Sequence, residues 1–187
     1  LDNGLKAPNK PISNGIDLEK FNPKNDPSPL KNRLKLPEKP TLLYAGRLSG
    51  EKHVDILIQA IPKIREKLDV HVIIGGNGRE KENLMELTKE LNIEEHVTFP
   101  GFLEDEEFPL LYRCADLFVM PSICELQSIT TLEALASGLP AIGANKYALP
   151  ELIHPNKNGY LFEPKDIDTL ADQAITILSN DKKQTAM

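Results

Sequence analysis

Short apolar runs alternate with segments of helical periodicity along the chain from Thr41 onward. The runs are rich in β-branched residues and predict strands buried on both faces, with crossover helices between them. The predicted strands are Thr41–Ala45, Val70–Gly75, Val97–Pro100, Leu117–Pro121, Ala141–Ala144 and Tyr160–Phe162. The predicted helices lie at about Val54–Lys67, Lys81–Leu91, Glu107–Cys114, Thr131–Ser137 and Ile167–Leu178. We therefore expect an α/β fold with a doubly wound, parallel, six-stranded, Rossmann-like sheet.

The first forty residues differ from the rest in their proline content. They hold seven of the fifteen prolines and show poor apolar periodicity, which predicts a linker segment. We accordingly expect a linker over residues 1–40, a domain over residues 41–180 and a tail over residues 181–187. Because the chain starts at Leu1 and shows no signal-like segment, we also expect it to be a piece of a longer protein.

Composition narrows the classes of function. The net charge of −6 and the pI near 5.3 disfavour a nucleic-acid binder, which needs a basic face. Two cysteines are too few for a disulfide scaffold, and no run approaches the roughly 20 apolar residues of a membrane helix. These features favour a soluble, cytoplasmic protein.

The loop after the first predicted strand carries two cations. Arg47 and Lys52 in the segment Gly46-Arg47-Leu48-Ser49-Gly50-Glu51-Lys52 stand between a strand end and a helix start. Backbone N–H groups at such a place bind anions, and two cations suit a diphosphate. The alternative is that both are ordinary solvated side chains.

A glycine-rich turn, Gly75-Gly76-Asn77-Gly78, follows the second predicted strand. Glycines there would let a ligand approach the backbone closely, although they also make ordinary strand-to-helix turns. The spacing is not GxGxxG and the usual acidic residue is absent, which disfavours a dehydrogenase.

Two glutamates eight positions apart follow the fourth predicted strand. Glu125 would lie in the loop and Glu133 in the first turn of the next helix, where both could face one ligand with sugar or ribose hydroxyls. The competing interpretation is structural. Ser122-x-x-Glu125 and Thr130-x-x-Glu133 both fit a capping box, which would use the carboxylates only to satisfy backbone N–H groups.

Other reactive residue types form no recognisable site. The four histidines lack metal-ligand spacing, and no nucleophile elbow is present. Cys124 adjoins Glu125, which disfavours a thiolate. Asp166 and Asp168 stand at a helix start and are expected to cap it. We expect no metal site.

Together these segments resemble the C-terminal domain of the family 4 (group 1) retaining glycosyltransferases of the GT-B fold. The resemblance rests on Gly46-Arg47-Leu48 with Lys52 and on Glu125-x7-Glu133. It extends to Ile12–Asp17, to Leu149–Ile153 and to Asn158–Phe162, and covers about residues 12–180. The order of these motifs is more specific than any one of them.

The resemblance implies roles for individual residues. Arg47 and Lys52 would hold the diphosphate of a nucleotide sugar, and Glu125 would contact the transferred sugar. The remaining expected contacts are Glu133 with the ribose, Phe102 and Leu103 with the base, the backbone of Ser128, Ile129 and Thr130 with the phosphate, and the glycines Gly46 and Gly78. Ser128 and His53 replace glycines common in the family, which makes the local backbone geometry a point to check.

The function implied is metal-independent glycosyl transfer with retention, using a nucleotide-diphosphate sugar as substrate and no cofactor. The acceptor, a lipid or glycan of the cell envelope, would bind to an N-terminal domain of the same full-length chain, and the sequence is compatible with peripheral membrane contact. This piece alone would be inactive. The alternatives are a non-catalytic nucleotide-sugar-binding or scaffold module and a sugar-nucleotide epimerase.

Overall fold

The computed structural model describes residues 14–179. Its strands are β1 (Thr41–Ala45), β2 (His71–Gly75), β3 (Val97–Thr98), β4 (Leu117–Met120), β5 (Ala141–Ala144) and β6 (Gly159–Phe162). Its α-helices are α1 (Ser28–Leu34), α2 (Val54–Arg65), α3 (Lys81–Glu90), α4 (Phe108–Arg113), α5 (Ile129–Ala136), α6 (Leu149–Leu152) and α7 (Ile167–Leu178). Short 3₁₀ turns occupy Gly50–Lys52 and Glu94–His96.

The six strands form one parallel sheet in the order β3-β2-β1-β4-β5-β6. Strand β1 pairs with β2 on one side, from Thr41 opposite His71, and with β4 on the other, from Leu42 opposite Leu117. The chain therefore winds outward in opposite directions from the junction of β1 and β4. In such sheets, ligands bind at the carboxyl ends of the strands where the order reverses. The predicted doubly wound α/β fold is confirmed.

The core lies on both faces of the central strands. Every residue of β1, β2, β4 and β5 is buried, as all-parallel sheets require. Helices α2 and α7 pack together on one face and bury apolar stripes that include Leu57, Ile61 and Leu170. Each such side chain contributes about 1.5–3 kcal/mol to folding. This core fixes the strand ends that carry the loops described below.

The segment before β1 contains a helix that the sequence pattern did not predict. Helix α1 has Pro27 at its N-cap and Pro29 in its first turn, where the missing N–H groups cost nothing. It buries Leu30 to 1% exposure, and Phe21 is buried to 7%. Residues 28–34 of the predicted linker segment thus form a helix that packs on the core. The predicted tail at residues 181–187 and the start of the Ile12–Asp17 motif lie outside the described residues.

Smaller differences concern element ends. Helix α5 begins at Ile129, two residues earlier than predicted, and α6 was not predicted. Strand β3 is reduced to two residues at the edge of the sheet. Within residues 14–179, no helix has both the length and the apolar character needed to cross a bilayer.

Candidate functional site

An open cleft of about 410 Å³ lies at the junction of β1 and β4, at their carboxyl ends. The loop after β1 and the loop after β4 supply its two walls. Seven residues predicted from sequence line it: Gly46, Arg47, Lys52, Glu125, Ser128, Ile129 and Thr130. Tyr44, Glu51, Met120, Cys124 and Gln127 complete the lining. The structure therefore brings together residues more than 70 positions apart in the chain.

The β1 loop is held by a buried tyrosine that the sequence analysis did not single out. The Tyr44 hydroxyl donates to the Arg47 carbonyl oxygen at 2.8 Å. Burial, with the nearby charges of Glu125 and Glu51, raises the pKa of Tyr44 far above its usual value, so the phenol keeps its proton. Tyr44 lies within a strand that the sequence predicts to be buried on both faces, and no motif distinguishes it from its apolar neighbours. The Arg47 side chain itself is exposed, and no carboxylate pairs with it within residues 14–179.

The glycine-rich turn after β2 packs against the backbone of the loop after β1. A Cβ on Gly76 would lie 1.8 Å from the Gly46 carbonyl oxygen, and one on Gly78 would lie 2.1 Å from that of Leu48. Only glycine permits this backbone approach. Gly78 therefore packs against the loop after β1. It is not among the described residues that line the cleft. Its contact with the ligand stays a prediction.

Lys52 and Glu125 form an ion pair inside the cleft. The Lys52 Nζ atom lies 2.5 Å from Glu125 Oε1, and the two side chains are 21% and 9% exposed. The Glu125 carboxylate is therefore not the partner in a capping box with Ser122, whose hydroxyl instead accepts from the N–H of Cys124 at 3.2 Å. Because each charge compensates the other, the pair can stay partly buried without a ligand.

Two residues in the loops after β1 and β4 have left-handed backbone geometry. His53 has φ of 49° and Ser128 has φ of 46°, a region that costs a non-glycine residue about 1–2 kcal/mol. These are the two positions at which the resemblance led us to expect glycine. The backbone geometry is thus the one that glycine would favour, and the side chains His53 and Ser128 adopt it. The Ser128 hydroxyl bonds the Thr131 hydroxyl at 2.8 Å.

Helix α5 begins at the cleft. Ile129 and Thr130 are its first two residues and both line the cleft. The first N–H groups of a helix have no intrahelical acceptor, and they carry the positive end of the helix dipole. An anion in this cleft would meet positive charge from Arg47, Lys52 and this helix end, beside the carboxylates of Glu51 and Glu125.

Glu133 lies one turn further along α5 and is not among the described residues that line the cleft. The prediction that it stands in the first turn is corrected, because α5 begins at Ile129. Its carboxylate accepts a hydrogen bond of 2.6 Å from the Tyr112 hydroxyl, so the capping box with Thr130 is not formed. Burial raises the pKa of Glu133, and the Tyr112 hydrogen bond and the Lys20 charge partly offset that rise.

A second, smaller pocket of about 210 Å³ contains Phe102 and Leu103. Gly76, Asn77, Lys81, Gly101 and Phe108 form the rest of its lining. Phe102 is 80% exposed, which leaves its ring free to stack on a flat ligand. Phe108 packs edge-on against Tyr112, with ring centroids 5.8 Å apart. Through Tyr112, this pocket is connected to Glu133.

Another hollow, of about 380 Å³ between α2 and α3, contains none of the predicted site residues. Its lining includes Asp55, Glu80, Glu86 and Glu90, and these carboxylates would repel an anion. Within residues 14–179, no three His, Cys, Asp or Glu side chains are grouped closely enough to hold a metal ion.

Comparison with known proteins agrees with this architecture. Residues 28–187 match the family model described as glycosyl transferases group 1. The chain is 33% identical over 186 residues to the GDP-mannose-dependent alpha-(1-6)-phosphatidylinositol monomannoside mannosyltransferase of Mycobacterium tuberculosis. That alignment covers 92% of the chain and 47% of the relative. The chain thus spans about half the length of the curated relatives it matches.

Two solved structures share the fold closely. One is the C-terminal domain of the group 1 glycosyl transferase LpcC from Francisella tularensis, with a TM-score of 0.82, 28% identity and 92% of each chain covered. The other is HepE from Anabaena in complex with UDP and glucose, with a TM-score of 0.84 and 26% identity. The alignment covers 92% of this chain and 48% of the HepE chain. On the family match and these similarities, the chain belongs to the group 1 glycosyltransferases.

Proposed function

We propose that this chain binds a nucleotide-diphosphate sugar and presents it for glycosyl transfer with retention of configuration. The observation that carries the proposal is the shared cleft at the β1–β4 junction, which unites Arg47, Lys52, Glu125 and the start of α5.

The diphosphate would lie between Arg47, Lys52 and the first N–H groups of α5. The bond from the sugar C1 to the diphosphate oxygen breaks during transfer, and the leaving diphosphate gains negative charge. Cations and fixed N–H dipoles at that place stabilise the transition state more than the ground state. In this role the cationic side chains serve where other enzymes use a metal ion, so we propose metal-independent transfer.

The transferred sugar would lie beside Glu125. Its carboxylate can accept hydrogen bonds from sugar hydroxyls and favours the positive charge that develops on the sugar ring. Lys52 pairs with Glu125 at 2.5 Å, so one ammonium group would bridge the sugar-binding carboxylate and the diphosphate. That arrangement holds both ends of the bond that breaks.

The nucleoside would extend from the cleft toward the pocket of Phe102 and Leu103. In a nucleotide the ribose stands between the base and the diphosphate. A role for Glu133 at the ribose is supported by its place on α5 after Thr130 of the cleft. It is supported also by the contact of Glu133 with Tyr112, which packs against Phe108 of the Phe102 pocket. We therefore propose Glu133 as the ribose contact and Phe102 with Leu103 as the base contact.

The acceptor would bind to an N-terminal domain of the same full-length protein. The relative from M. tuberculosis is named for a phosphatidylinositol mannoside acceptor, which supports a lipid or glycan of the cell envelope and peripheral membrane contact. We further propose that this chain alone has little transferase activity, since an open cleft that is not covered by a second domain does not exclude water.

The test uses the full-length protein, a panel of nucleotide sugars and envelope lipid and glycan acceptors, with product mass and anomeric configuration measured by NMR. We expect a product that keeps the configuration of the sugar donor, activity unaffected by EDTA, and loss of transfer in Glu125→Gln. The exposed Glu38→Gln serves as the matched control because Glu38 precedes β1 and so lies at the amino end of that strand, away from the carboxyl ends that form the cleft. A full-length protein that binds a nucleotide sugar but neither transfers nor hydrolyses it would instead be a binding module.

A further inference from the structure

The Tyr112 hydroxyl donates to Glu133 Oε2 at 2.6 Å and joins α4 to α5. Tyr112 is fully buried, and Glu133 is half-buried. Neither the cleft lining nor the pocket around Phe102 includes Tyr112 among its described residues. Its polar atom therefore acts on Glu133 and not on a ligand directly.

The Tyr112 ring is held in one orientation by three aromatic neighbours. Phe21 and Phe108 contact it edge-on, with centroids 5.7 and 5.8 Å away and interplanar angles of 77° and 85°. Phe118 of β4 lies behind it at 6.0 Å. Such pairs add about 0.5–1.5 kcal/mol each beyond burial. The hydroxyl is therefore fixed in space, and it fixes the carboxylate oxygen that it touches.

The hydrogen bond leaves the second carboxylate oxygen free. Among the hydrogen bonds of the described residues, Glu133 accepts only through Oε2, so Oε1 and the remaining lone pair of Oε2 can accept from a vicinal diol. A carboxylate on a flexible glutamate would lose side-chain entropy on binding the diol. One that is already oriented loses less, and preorganisation of this kind raises affinity.

We propose that Tyr112 is a positioning residue, which orients the Glu133 carboxylate to read the ribose hydroxyls of the bound nucleotide. The proposal rests on the proposed function, in which Glu133 is the ribose contact. It adds a residue that makes no contact with the ligand and a specific effect, namely discrimination between ribose and deoxyribose. A merely structural bond between α4 and α5 would affect stability without this discrimination.

The test measures, by calorimetry on the 187-residue chain, the affinities of UDP, GDP and ADP and of their 2′-deoxy forms. For the nucleotide that binds best, we expect the wild type to prefer the ribose form by about tenfold, as a hydrogen bond to a charged group predicts. Glu133→Ala and Tyr112→Phe should both reduce that ratio to about one to three. The ratio is taken within one variant, so a lower folded fraction cancels.

Tyr160→Phe is the matched control, because the Tyr160 hydroxyl donates to Asn156 Oδ1 at 2.9 Å and the same atom is removed. It should keep the wild-type ratio. A Tyr112→Phe variant that keeps the tenfold preference while Glu133→Ala loses it would overturn the proposal. So would a wild type that binds both forms equally well, an outcome that leaves diphosphate binding at Arg47 and Lys52 intact. Absence of binding by all the nucleotides would instead refute the proposed function.

Discussion

Lys52 and Glu125 lie 73 positions apart in the chain and form an ion pair of 2.5 Å inside the cleft. One residue follows β1 and the other follows β4, so the pair joins the two strands at which the sheet reverses its order. The ammonium group that we assign to the diphosphate is therefore shared with the carboxylate that we assign to the sugar.

Glu125→Gln should bind a nucleoside diphosphate more tightly than the wild type. The substitution removes the negative charge that competes with phosphate for Lys52, and at a separation near 4 Å such a charge is worth about 1 kcal/mol or more. We expect a fall in Kd of about fivefold by calorimetry with UDP, GDP or ADP. Glu38→Gln, which removes the same charge from the exposed surface, should leave Kd unchanged. Weaker binding by Glu125→Gln would show that the carboxylate helps to hold the diphosphate.

His53→Gly should not destabilise the domain, although most glycine substitutions do. Relief of the left-handed geometry at φ of 49° outweighs the added freedom of the unfolded chain, so we expect a gain of 0 to about 1 kcal/mol in unfolding free energy. Gln59→Gly in the middle of α2 is the control and should lose about 1 kcal/mol. Urea unfolding of the three proteins measures both changes. Equal losses in the two variants would contradict the assigned geometry.

His71 should make the fold sensitive to mild acid. Burial lowers the pKa of His71 from 6.5 to about 4, and the charges of His96 and Lys39 add to the effect. Above pH 6.5 the imidazole is neutral in both folded and unfolded chains. Below that pH the unfolded chain takes up the proton first, so stability falls by about 2 kcal/mol between pH 7.5 and pH 5 from this residue alone.

The measurement is urea unfolding across that pH range for the wild type and His71→Gln, which cannot titrate. The difference between the two curves isolates His71 from the carboxylates. The exposed His154→Gln is the control and should follow the wild-type curve. If His71→Gln loses as much stability as the wild type on acidification, the buried imidazole is not responsible.

The sequence predicted the sheet because its strands are short and mostly apolar runs. The family resemblance, more than the local pattern, predicted which residues of the loops after β1 and β4 line the cleft. The sequence pattern did not predict α1, since prolines at a helix start resemble those of a linker. The start of α5 was misplaced because a left-handed Ser128 leaves no periodic signal. Tyr112 and Tyr44 occupy apolar stretches, and only their hydroxyl partners, Glu133 and the Arg47 carbonyl, distinguish them from ordinary core residues. Such partners depend on tertiary packing, which local pattern does not encode.

The central claim is that Arg47 and Lys52 hold a nucleotide diphosphate in the cleft, and calorimetry with UDP, GDP and ADP tests it most directly. We predict millimolar or tighter binding by the wild-type chain and its loss in the double variant Arg47→Ala with Lys52→Ala, since charge-assisted hydrogen bonds contribute about 1.5–3 kcal/mol each. The double variant Lys24→Ala with Lys89→Ala removes two exposed lysines outside the cleft and should bind as the wild type does. Unchanged affinity in the Arg47 and Lys52 double variant would contradict the account.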